Sequence, residues 1–385
     1  ANDEIEYTLG GYYSDQTSVY TSLQSLRGSN LRFVQSDPVE ADSKAVFANV
    51  GWTPLERLTI NAGIRYTEES KTYTYVRRGP EGGPAPAILA PLDGQVGEAA
   101  AERVDYRLAA QYRWSDDFMT YAQYATGFKG GGVNPRPFYP QQVLSFGPET
   151  LDSWEAGFKS DFLDRRVRLN VAAFFSKYKD IQLTLTNCTV QAGAGFGAPC
   201  ALPTNAGDAE VKGIEVEATL RPVDGLLIDA SGAFLDFDYK EFASFTTPGG
   251  GTVSVGGPTN INAPQFGDYP AFTPRWKWSV GAQYEAVLPG NAGSITPRID
   301  VAYQGDMHAN PINRESNLIE DYTLANARLT WRNAGEDLEV ALEVTNLFDE
   351  YYFLSINDQT TGGQGYANAQ PGRPREWAVS VKKKF

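Results

Sequence analysis

Runs in which apolar and polar side chains alternate residue by residue recur from one end of this 385-residue chain to the other. A period of two belongs to a β-strand with one apolar face. Leu58, Ile60, Ala62, Ile64 and Tyr66 form one side of such a run, with Thr59, Asn61, Gly63, Arg65 and Thr67 between them. Ile214, Val216, Ala218 and Leu220 alternate with Glu215, Glu217 and Thr219, and Leu338, Val340, Leu342 and Val344 alternate with Glu339, Ala341, Glu343 and Thr345. The pattern predicts about fourteen strands, near residues 4–14, 44–52, 57–69, 104–114, 118–128, 149–162, 166–183, 208–221, 225–239, 274–287, 294–304, 322–332, 337–347 and 375–385.

The connections alternate in length. TPLE, SDD, LDR, PVDG, LPGNAG and NAGED are tight, whereas the stretches around 15–43, 70–103, 129–148, 184–207, 240–273, 305–321 and 348–374 are long. A soluble sandwich has no reason to alternate so regularly, but a transmembrane barrel has short periplasmic turns and long external loops. The expected fold class is therefore all-β, a transmembrane antiparallel up-and-down β-barrel. The last connection is long, so the final strand runs down to the periplasmic side. Its expected outward register is Trp377, Val379, Val381 and Phe385, with the Lys383 ammonium reaching the headgroups. Glu376, Ala378, Ser380, Lys382 and Lys384 face inward in that register.

Unpaired amides and carbonyls in hydrocarbon cost several kcal/mol each, so such a sheet has to close. Periodicity does not decide whether the fourteen strands close on one another or join further strands. Mean hydropathy is −0.37, and no stretch approaches the roughly 18 apolar residues of a membrane-spanning helix. The 21 Tyr, 7 Trp, 38 Gly and 23 Pro suit strands, turns and interfacial aromatic girdles. A net charge of −14 argues against nucleic acid as a partner, because phosphate binding needs a basic surface. Cys188 and Cys200, in a Gly-rich stretch, suit one disulfide and an oxidising compartment. The opening ANDEIEYTLGGYY has no initiator Met, basic n-region or apolar h-region.

Several segments, in order, resemble the C-terminal half of TonB-dependent receptors: YAQYATGFKGGGVNPRPF, ETLDSWEAGFKSDFLDRRVRLNVAAFFSKYKDIQL, NAGDAEVKGIEVEATLRP, and VTNLFDEYYF with GRPREWAVSVKKKF. The resemblance spans roughly residues 105–385. It implies a barrel of about 22 strands filled by an N-terminal plug. On that reading residues 1–385 are the C-terminal portion of the barrel, with the plug and the first strands lying outside them. The implied function is active uptake of a scarce solute across the outer membrane of a Gram-negative bacterium, most often an iron-siderophore. The implied partners are the TonB-ExbB-ExbD complex, acting through the plug, the barrel-assembly machinery, outer-membrane lipid and a small-molecule ligand. Phe385 resembles the terminal aromatic that the assembly machinery recognises. A passive porin-like channel complete in about fourteen strands is the alternative, and it would require 4–14 to pair with 375–385. A structural or adhesive role in a larger surface complex stays open.

The remaining features have bland readings beside the functional ones. His308, the only histidine, and Phe138, Tyr139, Tyr351, Tyr352 and Phe353 are candidate ligand contacts in loops; a solvated histidine and an aromatic belt are the simpler readings. Arg65, Glu215, Glu217, Arg328, Glu339 and Glu343 are expected to face the lumen, where they hold a plug or water rather than substrate. Gly130, Gly131 and Gly132 lack a following GK[ST] and read as a flexible loop entry. No GxSxG setting pairs a nucleophile with the single histidine, so no enzymatic chemistry and no cofactor are expected. No DxDxDG pattern is present for calcium.

Overall fold

The computed structural model describes residues 4–26, 30–185, 201–246, 252–254, 266–358, 360 and 366–385. Among these, extended backbone dominates, and the only helical pieces are three single-turn 3-10 segments. One antiparallel sheet is built from β1 (Ile5–Leu26), β2 (Leu31–Leu55), β3 (Leu58–Thr74), β4 (Val96–Ser115), β5 (Phe118–Lys129), β6 (Glu149–Phe162) and β7 (Val167–Lys179). It continues through β8 (Gly207–Leu220), β9 (Leu226–Phe242), β10 (Trp276–Tyr284), β11 (Ser294–Gln304), β12 (Tyr322–Arg332), β13 (Leu338–Thr345) and β14 (Glu376–Lys383). These strands neighbour one another in chain order, so the sheet is up-and-down throughout. Short strands Arg77–Arg78 and Ala286–Val287 extend it beside β2 and β11.

The expected alternation of tight turns and long connections holds, but two long connections are shorter than expected. Residues 15–43 were expected as a loop; instead β1 and β2 stay paired from Ile5↔Trp52 to Leu26↔Leu31. The reason lies in positions 31–39, where Leu31, Phe33, Gln35, Asp37 and Val39 continue the period-two face beyond the membrane belt, now with polar members included. Likewise β3 and β4 pair as far as Thr74↔Val96, reducing the loop expected over 70–103 to residues 75–95. The final strand stops at Lys383, leaving Phe385 beyond it and exposed. Lys383 bonds Asp337 in the β12–β13 turn instead of extending freely into headgroups. That bond holds the Asp337 carboxyl below the usual carboxylate range, with Asn333 adding to the effect. Cys188 and Cys200 lie outside the described residues.

Register turns the alternating patterns into two chemically distinct faces. One row runs Val171↔Val216↔Gly232↔Trp278↔Tyr303 across β7 to β11. Another runs Tyr7↔Val50↔Ala62↔Leu108↔Tyr124↔Trp154↔Phe175 across β1 to β7. The rows are apolar, and several of their members are exposed large hydrophobics: Tyr7 62%, Leu108 55%, Val50 42%. A soluble protein does not leave a face of this size in water. The adjacent rows, such as Ala172↔Glu215↔Ala233↔Lys277, are polar or small.

Glycines in the wall serve close approach. A Cβ on Gly157 would lie 2.9 Å from the Tyr121 ring, and one on Gly213 would lie 2.6 Å from the Phe174 ring, so these rings cover the backbone. Gly207 has φ +142° beside a bulge at Asp208/Ala209, and a Cβ there would meet the Glu241 carbonyl oxygen. Gly207→Ala is therefore expected to destabilise the upper β8–β9 ladder by about 1–3 kcal/mol, read as faster amide exchange around Phe242.

Candidate functional site: the polar wall and the loop layer

On the polar face the structure joins Arg side chains and carboxylates as ion pairs towards the tight-turn end, with Arg168↔Asp161, Arg328↔Glu343 and Arg332↔Glu339 directly opposite in register. Arg168 meets Asp161 through two bonds, at 2.7 and 3.1 Å. Arg298 bridges Asp229 at 2.9 Å and Asp300 at 2.5 Å. Arg328 reaches Glu339 at 3.2 Å and Glu343 at 3.4 Å, and Arg332 shares Glu339 at 3.0 Å. All six residues expected to face the lumen lie in the polar rows. Arg65 bonds Thr67 Oγ1 at 2.9 Å and lies 5.8 and 5.7 Å from the Tyr12 and Phe47 ring centres. Glu217 accepts a bond from Asn170, and Glu215 stands opposite Ala172 and Ala233. Such exposed pairs contribute little stability, because water screens the charges. Their consequence is chemical: the face is hydrophilic and ordered.

At the opposite end the long connections pack on one another. Leu31, Phe33, Leu89 and Leu92 form a buried cluster joined by Phe138 and Val143. Tyr73, Tyr75 and Val133 form a second. Between these lies an ion pair with no exposed surface, Arg77 Nη1 to Asp37 Oδ1 at 2.6 Å. The Arg77 guanidinium also sits 5.9 Å from the Phe33 ring centre and 5.5 Å from that of Tyr75. Burial pushes the Asp37 carboxyl up, against the Val76 amide and Arg77, which pull it down. Burial also raises the Tyr75 phenol, whose O–H donates to the Asn134 carbonyl at 2.7 Å. Asp93 is held low by the Arg77 amide and the Arg78 guanidinium. Three connections are thereby tied together: the β1–β2 hairpin, residues 75–95 and residues 130–148.

Gly130 to Gly132 belong to this layer and are not a flexible entry. The Gly131 carbonyl accepts from Lys71 Nζ at 3.2 Å, and the Gly130 carbonyl accepts from Gln182 Nε2 at 3.1 Å. A Cβ on Gly131 would lie 2.5 Å from the Phe146 carbonyl oxygen, so close backbone packing explains the glycine there.

The candidate ligand contacts divide into two groups. Phe138 stands edge-on to Phe33 at 6.3 Å inside the first cluster, and the Tyr139 carbonyl caps a single 3-10 turn by accepting from the Gln142 amide. On the far side of the sheet order, Met307, Ala309 and Ile319 form a core with Phe353 and Ile356. His308 lies beside that core, its Nδ1 2.9 Å from the Asn317 side chain and its ring 6.3 Å from Tyr269 at 20°. Tyr352 packs on Tyr322 at 4.5 Å, and Tyr351, 74% exposed, lies edge-on to Phe353. Among the six, Tyr351 is the most exposed. The sequence reading missed Arg77 and Asp37, although the alternation through Leu31, Phe33, Gln35 and Asp37 carried a usable signal.

Comparison with known proteins agrees with this wall. The family model described as TonB dependent receptor-like, beta-barrel, matches residues 2–347. The pesticin receptor of Yersinia enterocolitica is 25% identical over 314 residues, which are 81% of this chain and 40% of that protein. The ferric yersiniabactin uptake receptor from Yersinia pestis superposes with a TM-score of 0.76 at 20% identity, over 100% of this chain and 52% of that one. The siderophore receptor PiuA from Acinetobacter baumannii gives 0.70 at 16% identity, over 100% of this chain and 54% of its own. The chain thus spans about two fifths to a half of the length of these relatives. With nine tenths of its residues matched by the family model and every wall strand in the up-and-down order, the chain belongs to the TonB-dependent receptor β-barrel family.

Proposed function

We propose that the chain is part of the wall of an outer-membrane receptor that takes up a scarce solute with energy delivered through TonB, an iron-siderophore being the leading cargo. The observation that carries this reading is the two-faced wall within the family match: a lipid-compatible face, a hydrated ion-paired face, and a packed loop layer at one end. The relatives named above are receptors, and two carry a siderophore or its ferric complex in their names. On this reading the ion-paired face holds a plug supplied by the rest of the polypeptide. TonB, ExbB and ExbD act through that plug, and the exposed Phe385 is presented to the assembly machinery.

A passive channel complete in fourteen strands fits less well. That reading needs β1 to pair with β14; among the described residues β1 pairs only with β2 and β14 only with β13. Two open edges in hydrocarbon are strongly unfavourable, which supports closure through further strands. Uptake of a radio-iron siderophore by cells carrying the intact polypeptide tests the proposal. Accumulation is expected to stop when the proton gradient is collapsed or TonB is deleted. Uptake that persists unchanged under both treatments favours the channel.

A further inference from the structure

We propose that a recess on the polar face of β4 to β7, at the tight-turn end, is a latch that holds a carboxylate of the plug between Arg113 and Lys159. A cavity of about 300 Å³ lies here, and its lining includes Arg113, Met119, Lys159, Arg168 and Asn170. Arg113↔Met119↔Lys159↔Asn170 is one register row of the polar face. The neighbouring row Tyr112↔Thr120↔Phe158↔Val171 belongs to the apolar face. The polar row thus sets two cations on either side of a thioether, with no acid among them. The carboxylates nearby are already committed or turned to solvent. Asp161 takes two bonds from Arg168, Asp117 pairs with Arg165 at 3.4 Å, and Asp116 is exposed in the β4–β5 turn. Among the described residues no acid lies within ion-pair distance of Arg113 or Lys159, and both are exposed.

The occupant follows from charge and from place. Arg113 and Lys159 stand on strands about 10 Å apart, so one carboxylate can reach both long side chains over Met119. The recess opens to the lumen and not to hydrocarbon, and the relatives matched above are about twice as long as this chain. This inference rests on the reading in which that further polypeptide fills the lumen. A contact between charges on a hydrated face is weak and screened by salt. It therefore holds the plug at rest and yields when the plug is pulled.

The test treats the intact polypeptide in detergent with a water-soluble carbodiimide, which joins an amine to a carboxylate in direct contact, and reads the digest by mass spectrometry. An amide is expected between Lys159 and an Asp or Glu of the plug, falling several-fold at high ionic strength. It should be lost in Lys159→Arg, which keeps the charge without the reactive amine. In planar bilayers the wild type is expected to stay closed, and the double variant Arg113→Gln, Lys159→Gln to open several-fold more often. A closed wild type in which Lys159 couples only to residues within 1–385, or to nothing, overturns the latch and leaves the importer reading standing. So does a double variant as closed as the wild type. A wild type that conducts freely overturns the importer reading and the latch with it.

Discussion

Arg77→Met at neutral pH is expected to open the loop layer while the membrane wall stays intact. The substitution leaves the Asp37 carboxylate without exposed surface and without its cation, and breaking such a pair from one side costs about 3–5 kcal/mol. Residues 31–39 and 75–95 should then exchange their amide hydrogens much faster, with the wall strands unaffected. The pH dependence follows from Asp37, whose carboxyl burial already holds above its ordinary value. A folded-state pKa above the unfolded one means that the folded layer binds a proton more readily. The loss in Arg77→Met should therefore shrink as pH falls through the folded pKa towards the unfolded value, and be greatest above it. Replacing both partners, as in Arg77→Met with Asp37→Leu, should cost less than the single change, because no buried charge is left. Equal exchange rates in the single variant and the wild type would show that the pair does not hold the layer.

Val216→Arg is expected to destabilise the barrel by about 2–4 kcal/mol, because Val216 sits midway along the apolar face of β8 and a guanidinium there meets hydrocarbon. Its outward row contains Val171, Gly232 and Trp278, with no acidic neighbour. Ala172→Arg is the matched control: its row is polar, it stands opposite Glu215, and a change near zero is expected. Equilibrium unfolding of the intact protein from phospholipid vesicles measures both. Equal penalties at the two sites would mean that the faces have been assigned the wrong way round.

The wall was legible in the sequence because a barrel strand carries its instructions locally. Ile214 to Leu220 shows which residues point together, and a PVDG or SDD turn shows where the chain reverses. Twelve residues of β5 and fourteen of β6 fall almost where alternation places them. The same reading failed at 15–43, where both strands of the hairpin have left the membrane. Outward residues such as Thr17, Glu40 and Asp42 no longer contrast with inward ones such as Gln35 and Asp37. Period-two contrast marks a strand only while its two faces meet different solvents. The candidate contacts were legible as residue types but not as partners. Phe138 proved to be part of a core, whereas Tyr351 remained open.

The amino-acid order thus determined the architecture: strand number, up-and-down direction, the apolar and polar faces, and the side on which the long connections gather. These depend on neighbours two to ten residues apart, and the solvent on each face enforces them. Tertiary structure alone decided how the connections meet. Arg77 finds Asp37 forty residues away, and Tyr75 finds Asn134 fifty-nine residues away. Gly11, Val46 and Tyr66 come into one row only through the pairing of three strands. Such contacts join residues whose separation in sequence has no period, so they arise from strand register and from the burial of charge, which only the assembled wall supplies.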